Sequence, residues 1–272
     1  MRETGAGGAC LTPPLKWAGG KRWLLPHLKP LWDRHKDRRL VEPFCGGLAV
    51  PLGLMPRRAL LNDINAHAIN FYHWLQKGLQ IKIPMENASE VYYAHRAEFN
   101  RVITGRWSRS RKAAELFYYL NRTGYNGLCR FNRSGAFNVP FGRYKTINYT
   151  RSFTAYKPVL KPWEFESSDF ESLSILPDDF VYADPPYDVE FRDYSKGGFQ
   201  WPDQVRLAEW LRRHKGPVVA SNQATKRVLE LYGDLGFQLT LLDAPRLISC
   251  TGDRSPAREM LALRGFKGNG YV

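Results

Sequence analysis

Val181-Tyr182-Ala183-Asp184-Pro185-Pro186-Tyr187 brings a carboxylate, a stiffened backbone and an aromatic face together within one short stretch. Phe180, Val181 and Tyr182 read as a short buried strand, and the prolines end it because neither can donate to a sheet ladder. A proline also holds the residue before it extended, which fixes the carbonyl of Pro185 beside the Asp184 carboxylate. Two acceptors and a ring suit an exocyclic amine on a flat base: the acceptors take its two N–H bonds and Tyr187 stacks on the ring. A bare Asp-Pro-Pro is more readily an acidic turn after a core strand. The apolar strand before it and the aromatic after it favour the functional reading.

Three further stretches offer parts of a ligand site. In Leu15-Lys16-Trp17-Ala18-Gly19-Gly20-Lys21, tandem glycines let the backbone lie close to a ligand, Trp17 offers a stacking face and Lys21 a cation. The plainer reading is a helix-entry loop, since Trp23, Leu24, Leu25, Leu28 and Leu31 follow at helical spacing. Leu40 to Val50 (Leu-Val-Glu-Pro-Phe-Cys-Gly-Gly-Leu-Ala-Val) reads as strand, glycine turn and helix start, the first unit of a doubly wound sheet whose ligands gather at strand carboxyl ends. It is not G-x-G-x-x-G, so no pyrophosphate is expected on this turn. The strand Ala59-Leu60-Leu61 ends at Asn62-Asp63-Ile64-Asn65. Asp63 lies 17 residues past Gly46, close to the about 20-residue offset at which an acidic side chain reaches a nucleotide ribose. With Asp184 at a later strand end, these pieces describe a pocket for an adenosine-containing cofactor.

The chain has 272 residues, enough for one α/β domain and a substantial insertion. Between Asp63 and Asp184 the sequence is far longer than two strand-and-helix units require. This places an insert at residues 70–150, a catalytic domain at 14–69 and 151–272, and a loose tail at 1–13. Helical patterns open the insert (Ile69 to Leu75, Ser89 to Ile103, Ala113 to Leu120). The turn signals Asn126-Gly127 and Ser134-Gly135 then suggest a small hairpin. After the Asp184 stretch come a loop at Ser195 to Phe199, a helix from Trp201 to His214, a strand from Pro217 to Asn222 and a helix from Arg227 to Leu235. Two closing antiparallel strands, Phe237 to Leu242 and Glu259 to Leu263, flank a polar loop at Ser249 to Arg254.

A net charge of +14 calls for a polyanionic partner, nucleic acid or an anionic membrane. Membrane is the weaker choice, because no apolar run approaches the ~18 residues of a spanning helix and the N-terminus lacks the apolar core of a signal peptide. The basic residues concentrate from Arg101 to Arg151, where Glu115 is the one acid. They alternate there with aromatics and asparagines, types that read base edges and fill gaps in a base stack, which points to nucleic acid rather than a solvated face. Cys10, Cys45, Cys129 and Cys250 form no C-x-x-C pair, so neither a disulfide framework nor a metal site is expected, and the compartment read from them is a reducing cytosol.

Taken together, Lys16-Trp17-Ala18-Gly19-Gly20-Lys21, Glu42-Pro43-Phe44-x-Gly46, Asp63-Ile64-Asn65, the Tyr125-to-Tyr144 stretch and Asp184-Pro185-Pro186-Tyr187 resemble the Dam-type DNA adenine-N6 methyltransferases. The resemblance covers Leu15 to about Leu263. It implies a class I S-adenosylmethionine-dependent methyltransferase fold, a doubly wound α/β sheet with an inserted, mainly helical target-recognition domain. It assigns cofactor contacts to Trp17, Lys21, Phe44, Gly46, Asp63 and Asp184, and the substrate amine to Asp184, Pro185 and Tyr187. DNA-reading positions fall on Lys16, Tyr125, Asn126, Leu128, Arg130, Pro140 and Arg143. The implied target is GATC in double-stranded DNA, with the adenine flipped out of the helix and no metal or obligate protein partner required. Leu48 stands where the family often has a third small residue in the glycine turn.

Rival readings are an N4-cytosine methyltransferase, a DNA-binding protein that keeps the fold without turnover, and an RNA or protein amine methyltransferase. The first more often carries Ser at the position of Asp184. The second would be marked by loss of Lys21, Asp63 or Asp184, and all three are present. The base-reading stretch argues against the third.

Overall fold

Short apolar runs flanked by turn residues become central strands buried on both faces, and the computed structural model, which describes residues 11–187, 198–244 and 257–266, builds one sheet from these and from more exposed strands at its edges. The strands are β1 (Leu40–Glu42), β2 (Ala59–Asn62), β3 (Trp163–Glu166), β4 (Phe180–Ala183), β5 (Val218–Gln223), β6 (Gln238–Ala244) and β7 (Ala257–Arg264). Their order across the sheet is β3-β2-β1-β4-β5-β7-β6. The five on the β3 side pair in parallel, whereas β7 runs antiparallel between β5 and β6. This is a mixed α/β fold with a seven-stranded sheet, consistent with a class I methyltransferase.

The order places the chemistry. From β1 the chain moves to β2 and β3 on one side and returns to β4 and β5 on the other, so connections diverge at the carboxyl ends of β1 and β4. Ligands of doubly wound sheets bind at such switch points. Glu42 closes β1 and Asp184 follows β4 directly. Because β7 is antiparallel, its early residue Glu259 pairs with Gln223 at the carboxyl end of β5 and so reaches the same edge.

The helices are α1 (Leu25–Asp33), α2 (Ala49–Leu54), α3 (Ala66–Gln76), α4 (Ser89–Ile103), α5 (Arg111–Thr123), α6 (Tyr156–Leu160), α7 (Trp201–Arg213) and α8 (Lys226–Asp234). The chain divides into two compact units. One, within residues 21–45, 54–69 and 162–272, holds the whole sheet with α1, α7 and α8. Its core packs Val41, Leu60 and Val181 with Leu211, Val218 and Tyr232. The other, within residues 1–20, 46–53 and 70–161, holds α4, α5 and α6 around an aromatic core in which Phe71 stacks on Tyr118 and meets Phe153 edge-on. At its start α5 is capped by Ser110, whose hydroxyl accepts from the Ala113 amide at 3.1 Å.

Strand β3 was not anticipated, although Trp-Glu-Phe-Glu alternates buried and outward positions as a short edge strand does. The expected hairpin is reduced to a 3-10 turn at Tyr125–Gly127 and two isolated antiparallel bridges, Gly124 to Phe141 and Phe131 to Phe137. Backbone bonds still join its arms, from Tyr125 to Pro140, Gly142 to Thr123, Asn132 to Ala136 and Asn138 to Arg130, and side chains take other backbone groups. Asn100 bonds both the amide and the carbonyl of Phe137, and the Val139 carbonyl accepts from Tyr92 and Arg96. The loop at Ser195 to Phe199 is described from residue 198 on, and the Ser249-to-Arg254 loop lies outside the described residues.

Candidate active site

Lys21 sits at the entrance to α1, directly after the tandem glycines, with its side chain 4% exposed. An ammonium has three N–H bonds, and buried it needs partners for all of them. Here they are the Tyr187 hydroxyl, the Asp184 Oδ1 at 3.0 Å and the Glu259 Oε1 at 3.1 Å. The ammonium also lies 4.4 Å from the centre of the Tyr187 ring. One buried cation therefore ties the Asp184-to-Tyr187 stretch to the start of β7.

Asp184 is held from a second direction by Ser221 of β5, whose hydroxyl donates to Oδ1 at 2.9 Å and is itself 2.9 Å from the Tyr182 hydroxyl. Both contacts converge on Oδ1, and among the described residues none reaches Oδ2. The Asp184 side chain remains 19% exposed, so it is not turned into the interior. Burial raises its carboxyl above the ordinary aspartate range, and Lys21 and Ser221 act against that rise.

The prolines are pinned through α7. Gln204 donates to the Pro186 carbonyl at 2.8 Å, and Asn222 of β5 fixes the Gln204 side chain at 2.9 Å. Among the described residues the neighbouring Pro185 carbonyl receives no hydrogen bond. Asp184 Oδ2 and the Pro185 carbonyl are thus the acceptors that this cluster offers to an incoming donor.

Glu42, at the end of β1, is 2% exposed, and among the described residues its Oε1 is buried without a partner. Burial and the charge of Asp184 push its carboxyl well above the usual glutamate range. Glu259 is raised too, first by burial, with Lys21 opposing and Asp184 adding to the rise. Neither acid was identified as a site residue from sequence. The available signal was a carboxylate inside an otherwise apolar strand, in Leu-Val-Glu and in Glu-Met-Leu-Ala-Leu.

In the same unit Asp63 is buried at the end of β2, and its Oδ1 accepts from the Asn65 amide at 2.9 Å. Phe44 packs edge-on against Phe199. Trp17 and Gly46 belong to the other unit, where the indole covers the glycine turn. A Cβ on Gly46 would come 2.7 Å from the indole nitrogen, and one on Gly47 would come 2.8 Å from the Trp17 Cβ. Leu48 adopts φ 63, a conformation that costs a non-glycine residue about 1–2 kcal/mol. Full burial of its side chain, worth roughly 1.5–3 kcal/mol, offsets this.

The residues singled out for DNA also lie in that unit. Tyr125 and Leu128 are exposed large hydrophobic side chains, and Asn126 and Arg143 both have φ 50. Pro140 is exposed, and its carbonyl accepts from the Tyr125 amide at 2.9 Å. Exposed Arg130 donates to Asn138 Oδ1 at 2.8 Å. The Lys16 ammonium lies 3.9 Å from the centre of the Tyr144 ring and donates to the Arg122 carbonyl, and the Lys16 backbone is fastened to Asn121 through two hydrogen bonds. Burial and the nearby Arg122 lower the Lys16 ammonium below its ordinary value.

No helix among the described residues is long and apolar enough to cross a membrane. Among proteins of known kind, the chain is 36% identical over 272 residues to the DNA adenine methylase of Escherichia coli, covering 92% of this chain and 94% of that one. It is 35% identical to the DNA N-6-adenine-methyltransferase of Escherichia phage P1, of whose length it spans 35%. A type II methyltransferase of Lactococcus lactis is 35% identical over 257 residues, 87% of this chain and 89% of that protein, which joins the likeness to restriction-modification enzymes. The model of the D12 class N6 adenine-specific DNA methyltransferases matches residues 17–246, and with these relatives along nearly its whole length the chain belongs to that family.

Proposed function

We propose that the protein methylates the N6 amine of adenine at GATC in double-stranded DNA, with S-adenosylmethionine as donor. The carrying observation is the pair of acceptors at the tip of β4, Asp184 Oδ2 and the Pro185 carbonyl, which the hydrogen bonds among the described residues leave over.

An adenine amine is a poor nucleophile because its lone pair is drawn into the ring. When each acceptor takes one N–H bond, the nitrogen is fixed with its lone pair turned out of the ring plane. The carboxylate also faces the positive charge that builds on nitrogen during transfer. Positioning and this electrostatic match carry the rate, and no covalent bond to the protein is needed. A base stacked in a duplex cannot reach the strand tip, so the adenine flips out and lies against Tyr187 while Tyr125 fills the vacancy.

The charge pattern fits the cofactor. Asp184 and Glu259 share the ammonium of Lys21, buried Glu42 adds a third acid close enough for the Asp184 charge to act on it, and among the described residues Glu42 Oε1 has no partner. An excess of negative acceptors suits a cationic ligand. When bound, S-adenosylmethionine supplies a methyl group on a positively charged sulfur that departs as a neutral thioether. Lys21, Phe44, Asp63 and Asp184 are the proposed contacts in the sheet unit, and the family resemblance adds Trp17 and Gly46 from the other.

Residues 70–150 serve in this reading as the target-recognition insert, with Lys16, Tyr125, Asn126, Leu128, Arg130, Pro140 and Arg143 reading the duplex of a cytosolic DNA. Arg130→Ala is expected to lose discrimination at one base pair, by about 1–3 kcal/mol. Rates on duplexes substituted singly at each GATC position check this, and an equal loss on every sequence would make Arg130 a phosphate contact. The activity itself is tested in a host lacking adenine methylation. Plasmid from cells expressing the protein should resist a nuclease blocked by GATC methylation and be cut by one that requires it; the reverse pattern overturns the target assignment.

A further inference from the structure

We propose that Glu259 is a positioning residue of the transfer site. Its carboxylate takes one of the three N–H bonds of Lys21 and so divides that ammonium between two acids, leaving Asp184 more of its negative charge for the substrate amine. This rests on the role proposed for Asp184.

The geometry carries the inference. Lys21 lies 3.0 Å from Asp184 and 3.1 Å from Glu259, and all three side chains are buried or nearly so. A salt bridge needed only to neutralise Asp184 would use one acid. A second buried carboxylate is costly to keep, and in an apolar strand such as Glu259 to Leu263 a leucine or methionine would pack without that cost. The antiparallel placement of β7 is what allows it: Glu259 pairs with Gln223, and so stands at the same sheet edge as Asp184 although far from it in sequence.

Without Glu259 the ammonium would belong to Asp184 and the Tyr187 hydroxyl alone. Asp184 would be more fully neutralised, and would answer less strongly to charge forming on the substrate nitrogen. The charged and titratable groups acting on Glu259 are Lys21 from the α1 entrance and Asp184 and Tyr182 from β4 and its end, while Tyr187 meets the same ammonium and Glu42 of β1 lies within reach of the Asp184 charge. The two acids repel one another, so removing one charge makes the other easier to ionise.

The test is Glu259→Gln, which keeps shape and an acceptor oxygen, in single-turnover methylation of a GATC duplex from about pH 5 to about pH 9. With thermal stability close to wild type, the acid limb of the rate profile should move down by about one pH unit and the plateau should fall several-fold. A limb that stays in place, whatever the plateau does, would reduce Glu259 to a packing residue and overturn the proposal. If Glu259→Gln does not fold, Glu259→Asp carries the test. Its retained charge should leave the limb at the wild-type position while the plateau falls, and a limb moving down contradicts the proposal. Asp184→Asn measured alongside separates the two readings, because transfer surviving in that variant removes the role of Asp184 itself.

Discussion

Asp184→Asn is expected to lower the rate of methyl transfer by on the order of 10³-fold or more while duplex affinity stays at the wild-type level. Asparagine has the same size and sits in the same frame, held by Ser221 and facing Lys21. It lacks the charge, however, and its amide can turn donors toward the substrate N–H bonds. The loss combines two effects: the amine is no longer fixed with its lone pair out of plane, and the positive charge forming on it faces no carboxylate. DNA binding draws on other residues, those proposed in the insert, so it should survive. Single-turnover transfer and fluorescence anisotropy with the same duplex measure the two quantities separately. A variant with a near-normal rate would remove Asp184 from the chemistry.

Lys21→Met has the second largest expected effect, on stability as well as on rate. Deleting one partner of a buried ion pair leaves the other charges uncompensated, and here two carboxylates lose the same cation. The cost is about 3–5 kcal/mol. Its dependence on pH has a definite sign. Burial raises the Asp184 and Glu259 carboxyls above their ordinary values, and Lys21 is the group that opposes this most. Groups raised in the folded state contribute stability at low pH and lose it as pH rises through their folded values. Without Lys21 both rise further, so the deficit relative to wild type should be smallest in acid and grow toward neutral pH. The acid limb of any residual methylation should move up, opposite to the shift expected for Glu259→Gln. Denaturant titrations of both proteins at several pH values give the comparison. A deficit that shrinks as pH rises would mean that Lys21 does not hold these acids in their charged form.

Much of this architecture was legible from residue pattern. Ser89 to Ile103 reads as a helix and is one with those bounds, and the run ending at Asp184 reads as a strand stopped by its prolines. Both are local signals, a periodicity in one case and missing backbone donors in the other. Strand β3 escaped because four residues carry too little periodicity to stand out. The hairpin was overread for a different reason. Its turn residues do take positive φ, at Asn126, Gly127 and Gly135, and backbone bonds join its arms, but side chains of Asn100, Tyr92 and Arg96 claim the Phe137 and Val139 groups that a longer ladder would have used.

The site divides the same way. Lys21 and Asp184 were picked out by motif, and the structure brings them to 3.0 Å. Glu259 and Ser221 reach Asp184 through the order of strands in the sheet, which no local pattern encodes. Glu42 was in view within Glu-Pro-Phe, but its importance depends on burial beside Asp184, a property of the assembled sheet.

The most direct test of the central claim, that Asp184 and Pro185 present an extruded adenine amine for methylation, is to identify the product. Purified protein is incubated with S-adenosylmethionine carrying a labelled methyl group and a duplex containing one GATC, and the DNA is digested to nucleosides and analysed by mass spectrometry. The account predicts label in N6-methyladenine alone, and none when the GATC adenines are replaced. Label in N4-methylcytosine, or binding without transfer, would contradict it.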